Sequence, residues 1–437
     1  MTTSYADFFS SVPSTGAPAW LADLRRNAFA RFGELGFPTT RNEDWHFTSV
    51  TPIAERTFKP LVPKAGAPRP SLADVAALTL GDASWHRMVF VNGRFEPSLS
   101  AFAALPAEVT VMTLAEALKE SPELVAEHLG KLAGYREHTF TALNTALMQD
   151  GVVIHVPRGV VVSEPVHVIH VTDAQAEGAA VHPRTLVVVE ALAQLALVES
   201  YVGLGSASHF TNAVAEVEVG NGARVHHYKI QCESTEAFHV GTVQVSQGRD
   251  SVYHGFSFAT GAALSRTNVY TKLVGEGAET RLNGLYLVDG TQHADHQTFV
   301  EHLAPSCASR ELYKGVLDGS SHGVFNGKVY VHPAAQKTDG KQTNHALLLS
   351  EQARVDTKPQ LEIFADDVKC THGATVGRLD QLALFYMKSR GIGAEHARAL
   401  LTYAFAAEVL ETIELDTLRE GLEQVAFARF APAEQRE

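Results

Sequence analysis

A chain of 437 residues with 45% apolar side chains can fill a large core and has room for more than one domain. Its formal charge of -13 argues against a nucleic-acid backbone or an anionic membrane as the main partner, because both demand a basic surface, and no apolar run approaches the ~20 residues needed to span a bilayer. Three widely spaced cysteines, Cys232, Cys307 and Cys370, make no disulfide framework and fit a reducing compartment. The opening MTTSYADFFSSVPSTG lacks a basic stretch followed by an apolar core, so the expected location is cytoplasmic.

Residues 1–150 read as a mixed, largely helical region. From Ala17 to Gly36 the residues Leu21, Leu24, Ala28 and Phe32 recur on one helical face, with Pro18 near the start and Gly36 as the stop. The loop that follows, FPTTRNEDWHFTSVTPI, carries Trp45 and Phe47 as aromatic anchors for an N-terminal arm. Pro60, Pro63, Pro68 and Pro70 mark a linker near 59–71. In MVFVNGRFEP, Asn92-Gly93 between two apolar runs predicts a hairpin. Two helical patterns follow, Leu114 to Leu129 and then Phe140, Leu143 and Leu147, and Asp150-Gly151 ends them.

From Val152 the character changes to short Val-rich runs with period-two alternation, divided by Gly, Asp and Asn. Compare VEVGNGARVHHYKI, VQVSQGRDSVYHGF, KLVGEGAETRLNGL and EHLAPSCASRELYKGVL: each reads strand, tight turn, strand, and their starts lie roughly 26 to 29 residues apart. A sandwich would show turns at shorter spacing, whereas a solenoid needs an element-length repeat because each coil buries its apolar side against the coils above and below. The reading is mainly β, with a β-helix core over 151–377; periodicity alone leaves a sandwich open.

The last part of that region, KPQLEIFADDVKCTHGATVGRLDQLALFYMKSRGIG, places Cys370 and His372 two apart on an extended segment, where alternation points thiol and imidazole to the same face. Thiolate and imidazole suit zinc, iron and iron-sulfur clusters, but two ligands do not complete a set of four. Helical period resumes at Asp380 with Leu382, Phe385, Tyr386 and Lys388, before a Gly391 stop. Within the C-terminal helical domain, 378–437, Ala397, Leu400, Leu401, Ala404, Phe405 and Val409 form one apolar stripe, and Leu415, Leu418, Leu422 and Val425 a second. Taken alone, these helices are expected to cap the open strand edge of the solenoid.

Among 21 histidines, most, including His226, His227 and His254, read as structural or surface residues on strands; His293 or His296 is the remaining candidate for a second metal site, although an offset of three points the two rings apart on one strand. Cys232 and Cys307 read as buried thiols. The sequence has no glycine-rich phosphate loop with Lys-Ser/Thr and no nucleophile elbow, so no ATP-hydrolysing motif of its own is expected. Nothing in it identifies a flavin site.

The run DDVKCTHGATVGRLD followed by LFYMKSRGI resembles the SufB/SufD family of iron-sulfur cluster assembly scaffolds, with wording on the SufD side. RNEDWHFT from Arg41, FNGKVYV from Phe325 and KTDGKQTNHALLLSEQARVDTKPQLEI resemble the same family in the same order, so the likeness spans nearly the whole chain. The resemblance implies a right-handed parallel β-helix and a non-enzymatic scaffold in a SufBCD-type complex, pairing with a SufB-like subunit or forming a homodimer in isolation. It implies that the helical end, through Leu382, Phe385, Tyr386, Arg390, Leu400, Leu401 and Phe405, docks a SufC-like ATPase. It further implies that His372, with Cys370 as helper, faces a cysteine of SufB where a transient iron-sulfur cluster or iron is held.

The competing class is a carbohydrate-active parallel β-helix enzyme, a polyuronate lyase or hydrolase, which would need clustered carboxylates on one solenoid face. Asp289, Asp295, Asp318 and Asp339 are available, and their spacing defines no cluster. A third class is a zinc-dependent or iron-storing protein holding metal without partners.

Overall fold

A strand of about ten residues that alternates apolar with polar side chains is stable only beside a similar strand, and a chain with many such runs at one spacing can stack them indefinitely. In a computed structural model, which describes residues 2–11, 18–61, 69–102 and 105–430, the Val-rich runs stack in this way. Strands alternate between two sheets, so each coil gives one strand to each, and the pairing from Gly151 to Gly377 is parallel throughout. The result is a β-solenoid of about eight turns. Register follows the repeat: Arg224 lies beside Gln194 on one side and Val252 on the other. The lumen is filled by Val187, Val217, Val243, Val269 and Val300 from one sheet and Leu197, Val225, Tyr253, Leu282 and Tyr313 from the other.

The N-terminal region is woven into this core. His86–Val91 pairs with Val166–Thr172 and extends one sheet, and Thr110–Thr113 pairs antiparallel with Gly151–Val156 to extend the other. The expected hairpin joins His86–Val91 to Arg94–Phe95, with Asn92 at φ 52° and Gly93 at φ 77°, as the turn requires. The first expected helix is Ala19–Leu35, with Leu21, Ala28 and Phe32 buried and Gly36 at φ 62°. The pattern from Leu114 to Leu129 is two helices, Leu114–Glu120 and Pro122–His128, because Pro122 has no N–H to continue the first and starts the second. Phe140, Leu143 and Leu147 lie buried in Thr139–Leu147. Trp45 packs on Phe140 at 5.2 Å and under the Arg266 guanidinium at 3.6 Å, so the arm is anchored on the solenoid; Phe47 is half-buried beside His46. Of the proline segment, Lys59–Pro60 pairs with the strand Ala179–Val181, while Pro63 and Pro68 lie outside the described residues.

A buried ion pair ties the two regions together. Arg184 and Glu216 are wholly enclosed, 2.5 Å apart. Glu216 also accepts the backbone N–H groups of Gly130, Leu132 and Ala133, and Arg184 reaches Asn144 Oδ1 at 3.0 Å. With every polar atom partnered the desolvation cost is offset; removing one partner would cost about 3–5 kcal/mol.

The C-terminal helices do not cap the solenoid. Ala394–Leu410 lies along its side, over the strands Glu279–Val288 and Ala308–Leu317, and Asp416–Phe430 packs beside it. The cause is an apolar stripe on the outer face of that sheet, Tyr228, Phe256, Leu285, Val316 and Leu347, which receives Ala406, Val409, Leu410, Leu418 and Leu422. The expected stripe is partly rotated: Ala397 and Val409 are buried, but Ala399, Thr402 and Ala406 complete the contact, while Leu400, Leu401 and Phe405 are only half-covered and Ala404 is exposed. Small residues pack there because the helix is wedged between the sheet and its neighbour.

Candidate ligand site at the open end of the solenoid

Each sheet ends in a strand with one partner. Among the described residues, Arg354–Ile363 pairs only with His322–Val331, and Lys369–Gly377 only with Asp339–Leu348. Their outer N–H and C=O rows face out of the end of the solenoid, a template for another chain.

Cys370 and His372 sit on that last strand, on the lumen face, as alternation predicts. Cys370 continues the column Thr280, Ser309, Gly340, and His372 continues Leu282, Glu311, Gln342. Cys370 packs against the cluster that holds Val329 and Val331 of the opposite sheet, and its Sγ lies 3.3 Å from where a side chain on Gly340 would begin. Burial pushes its thiol above the ordinary value, so this side chain meets a cation as a neutral thiol that must lose its proton to bind. His372 is exposed, since no further coil covers it. Among the described residues no third His, Cys, Asp or Glu completes a metal-binding set with these two. The pair fits a soft-metal cargo in donor type, and two donors do not complete a set of four.

Beneath His372 the lumen is polar. Gln342 donates to Glu311 at 3.3 Å, and Glu311 accepts from Thr298 of the opposite sheet at 2.6 Å. Glu311 is buried, and burial raises its pKa to about 7. Sequence reasoning missed this carboxyl: alternation identifies an inward Glu, but only the sheet register places it under His372.

The other candidates separate. Leu382, Phe385 and Tyr386, on the helix Gln381–Ser389, are 79, 71 and 59% exposed, and Arg390 lies over the Tyr386 ring at 5.2 Å. Asp380 caps that helix by accepting the Leu382 N–H at 2.8 Å. Phe405, by contrast, is covered by the Lys314 ammonium, 4.4 Å from its ring. His293 contacts Thr48 at 2.9 Å and His322 edge-on, whereas His296 is sealed between Tyr286 and Tyr313; they point apart, as their offset requires, and share no third ligand. Burial raises the thiols of Cys232, to about 12, and Cys307. The four aspartates of the carbohydrate-enzyme reading form ion pairs with four different arginines: Asp289 with Arg429, Asp295 with Arg266, Asp318 with Arg398 and Asp339 with Arg310. They gather into no acid/base pair. No helix among the described residues is long and apolar enough to cross a membrane.

A parallel solenoid whose last strands are unpaired on their outer side offers an edge for assembly rather than an enclosed cleft. Comparison with known proteins agrees. Residues 170–405 match the model described as SUF system FeS cluster assembly, SufBD core domain, and residues 2–168 match the SufBD protein N-terminal region. The chain is 36% identical over 420 residues to an iron-sulfur cluster assembly SufBD family protein of Synechocystis sp., covering 94% of this chain and 91% of that one. It is 35% identical over 397 residues to the iron-sulfur cluster assembly protein SufD of Escherichia coli, covering 90% and 88%, and 28% identical over 419 residues to SufD of Bacillus subtilis, covering 93% of each. The chain belongs to the SufBD family of iron-sulfur cluster assembly proteins, and resembles those of its members named SufD.

Proposed function

We propose that this chain is a non-enzymatic scaffold subunit that pairs with a SufB-like subunit through its open end, so that His372 and Cys370 meet the partner's ligands around a nascent cluster. The observation that supports this most directly is that both side chains face the lumen at an unpaired end and lack further ligands among the described residues. The segment after residue 378 acts as a separate docking unit, where a SufC-like ATPase binds the exposed face Leu382, Phe385, Tyr386 and Arg390, with the half-covered Leu400, Leu401 and Phe405 behind it. ATP-driven closure of two such ATPases would be carried by the helix Gln381–Ser389 to the last strand, four residues before it, and would open or assemble the junction. The cluster is cargo, shared across the interface.

Co-expression with SufB and SufC partners, followed by affinity purification, iron analysis and visible absorption, tests this. The expected result is a stoichiometric complex whose cluster chromophore is lost in His372→Ala while complex and fold persist. A variant that retains its full cluster would make this subunit a structural brace.

A further inference from the structure

Away from the open end, the outer face of the second sheet holds a different group of donors. His226 and His254 occupy the same register position on adjacent strands, Arg224–Cys232 and Val252–Ala259, with rings 4.8 Å apart. Their Nδ1 atoms face one carboxylate, Glu414, in the turn between the last two helices: His226 at 3.6 Å and His254 at 3.5 Å. One donor atom from each of the three lies within 4.8 Å of the others.

We propose that His226, His254 and Glu414 form a binding site for a divalent transition cation of the zinc type, clamping the C-terminal helices to the solenoid. Metal–ligand bonds of about 2.0–2.1 Å put tetrahedral ligands about 3.3 Å apart; His226 Nδ1 at 3.6 Å from Glu414 Oε2 and His254 Nδ1 at 3.5 Å from Oε1 are near that spacing and longer than good hydrogen bonds. Two adjacent strands fix the imidazoles, and the Tyr228 hydroxyl accepts the Glu414 N–H at 3.3 Å, which holds the turn in place. His254 Nε2 is buried without a hydrogen-bond partner. Arg224 and Arg281 oppose a cation here, but Arg281 is paired with Glu279 at 2.8 Å. Three ligands from two regions leave at least one position for water or an incoming group.

The test uses the full chain carrying Cys370→Ser and His372→Ala, so that metal bound at the open end cannot contribute. Cobalt titration followed by its visible d–d bands, with zinc competition, should show one site per chain. Glu414→Gln, an exposed turn position that leaves the fold intact, and His254→Gln should each lower affinity at least about 100-fold, beyond the 10- to 100-fold typical of outer-shell losses. Zinc should also slow proteolysis of the C-terminal helices in the parent and not in Glu414→Gln. Absence of a cobalt band, or affinity unchanged by both substitutions, would overturn the assignment.

Discussion

Glu311 carries the clearest consequence of a single residue. Its pKa is raised to about 7 by burial, so the folded chain holds a proton that the unfolded chain, titrating near 4.5, releases. Stability from this group is therefore complete below about pH 4.5 and is lost as pH rises through 7, by up to about 3 kcal/mol. Gln in its place keeps partners for Thr298 and Gln342 and removes the titration. Thermal melts of Glu311→Gln and the parent should diverge from pH 5 to 8, the variant gaining; parallel curves would mean that the carboxyl ionises normally. At the same scale, Cys370 and His372 were legible because a period of two needs no knowledge of the fold. The pair His226 and His254 was legible only with strands aligned on their first residues, RVHHY over VYHGF, and Glu414, far along the chain, gave no sign.

Among the elements, the helix Gln381–Ser389 stands apart because none of its side chains is buried. Phe385→Glu should leave stability nearly unchanged, within about 0.5 kcal/mol, as for other exposed positions, and, on the proposed docking face, abolish co-purification of a SufC-like ATPase. Persistent co-purification would move the docking surface to the neighbouring helices. The helix itself was legible from its Asp380 cap and Gly391 stop. The placement of Ala394–Leu410 was not: a helix covered on two sides buries alanines that an amphipathic pattern does not single out. Nor did local pattern disclose that His86–Val91 and Thr110–Thr113 join the sheets, since strand partners some 40 to 80 residues away leave no periodic trace.

For the whole molecule, the buried histidines dominate the response to acid. Burial lowers His167 and His182 to about 3 and His170, His296 and His302 to about 4. The unfolded chain protonates them near 6.5, so unfolding takes up protons; their stabilisation is complete above pH 6.5 and is lost as pH falls toward 4. Each is worth up to about 2 kcal/mol at pH 5. The melting temperature should fall steeply from pH 6.5 to 4.5, and a flat profile would show that these rings are hydrated. The repeat spacing favoured a solenoid, because stacking coils impose one length on every turn, but it left a sandwich open until the family resemblance was added.

Because each coil leans only on its neighbours, the two final strands, Arg354–Ile363 and Lys369–Gly377, have half the support of those within the stack. Hydrogen exchange should be fastest there in the free chain and slow sharply once a partner adds the next pair of strands. Cys370 and His372 thus sit on the segment expected to fray first, and the proposed pairing would hold them still. Under the proposed pairing, rigidity at this edge would be a product of association.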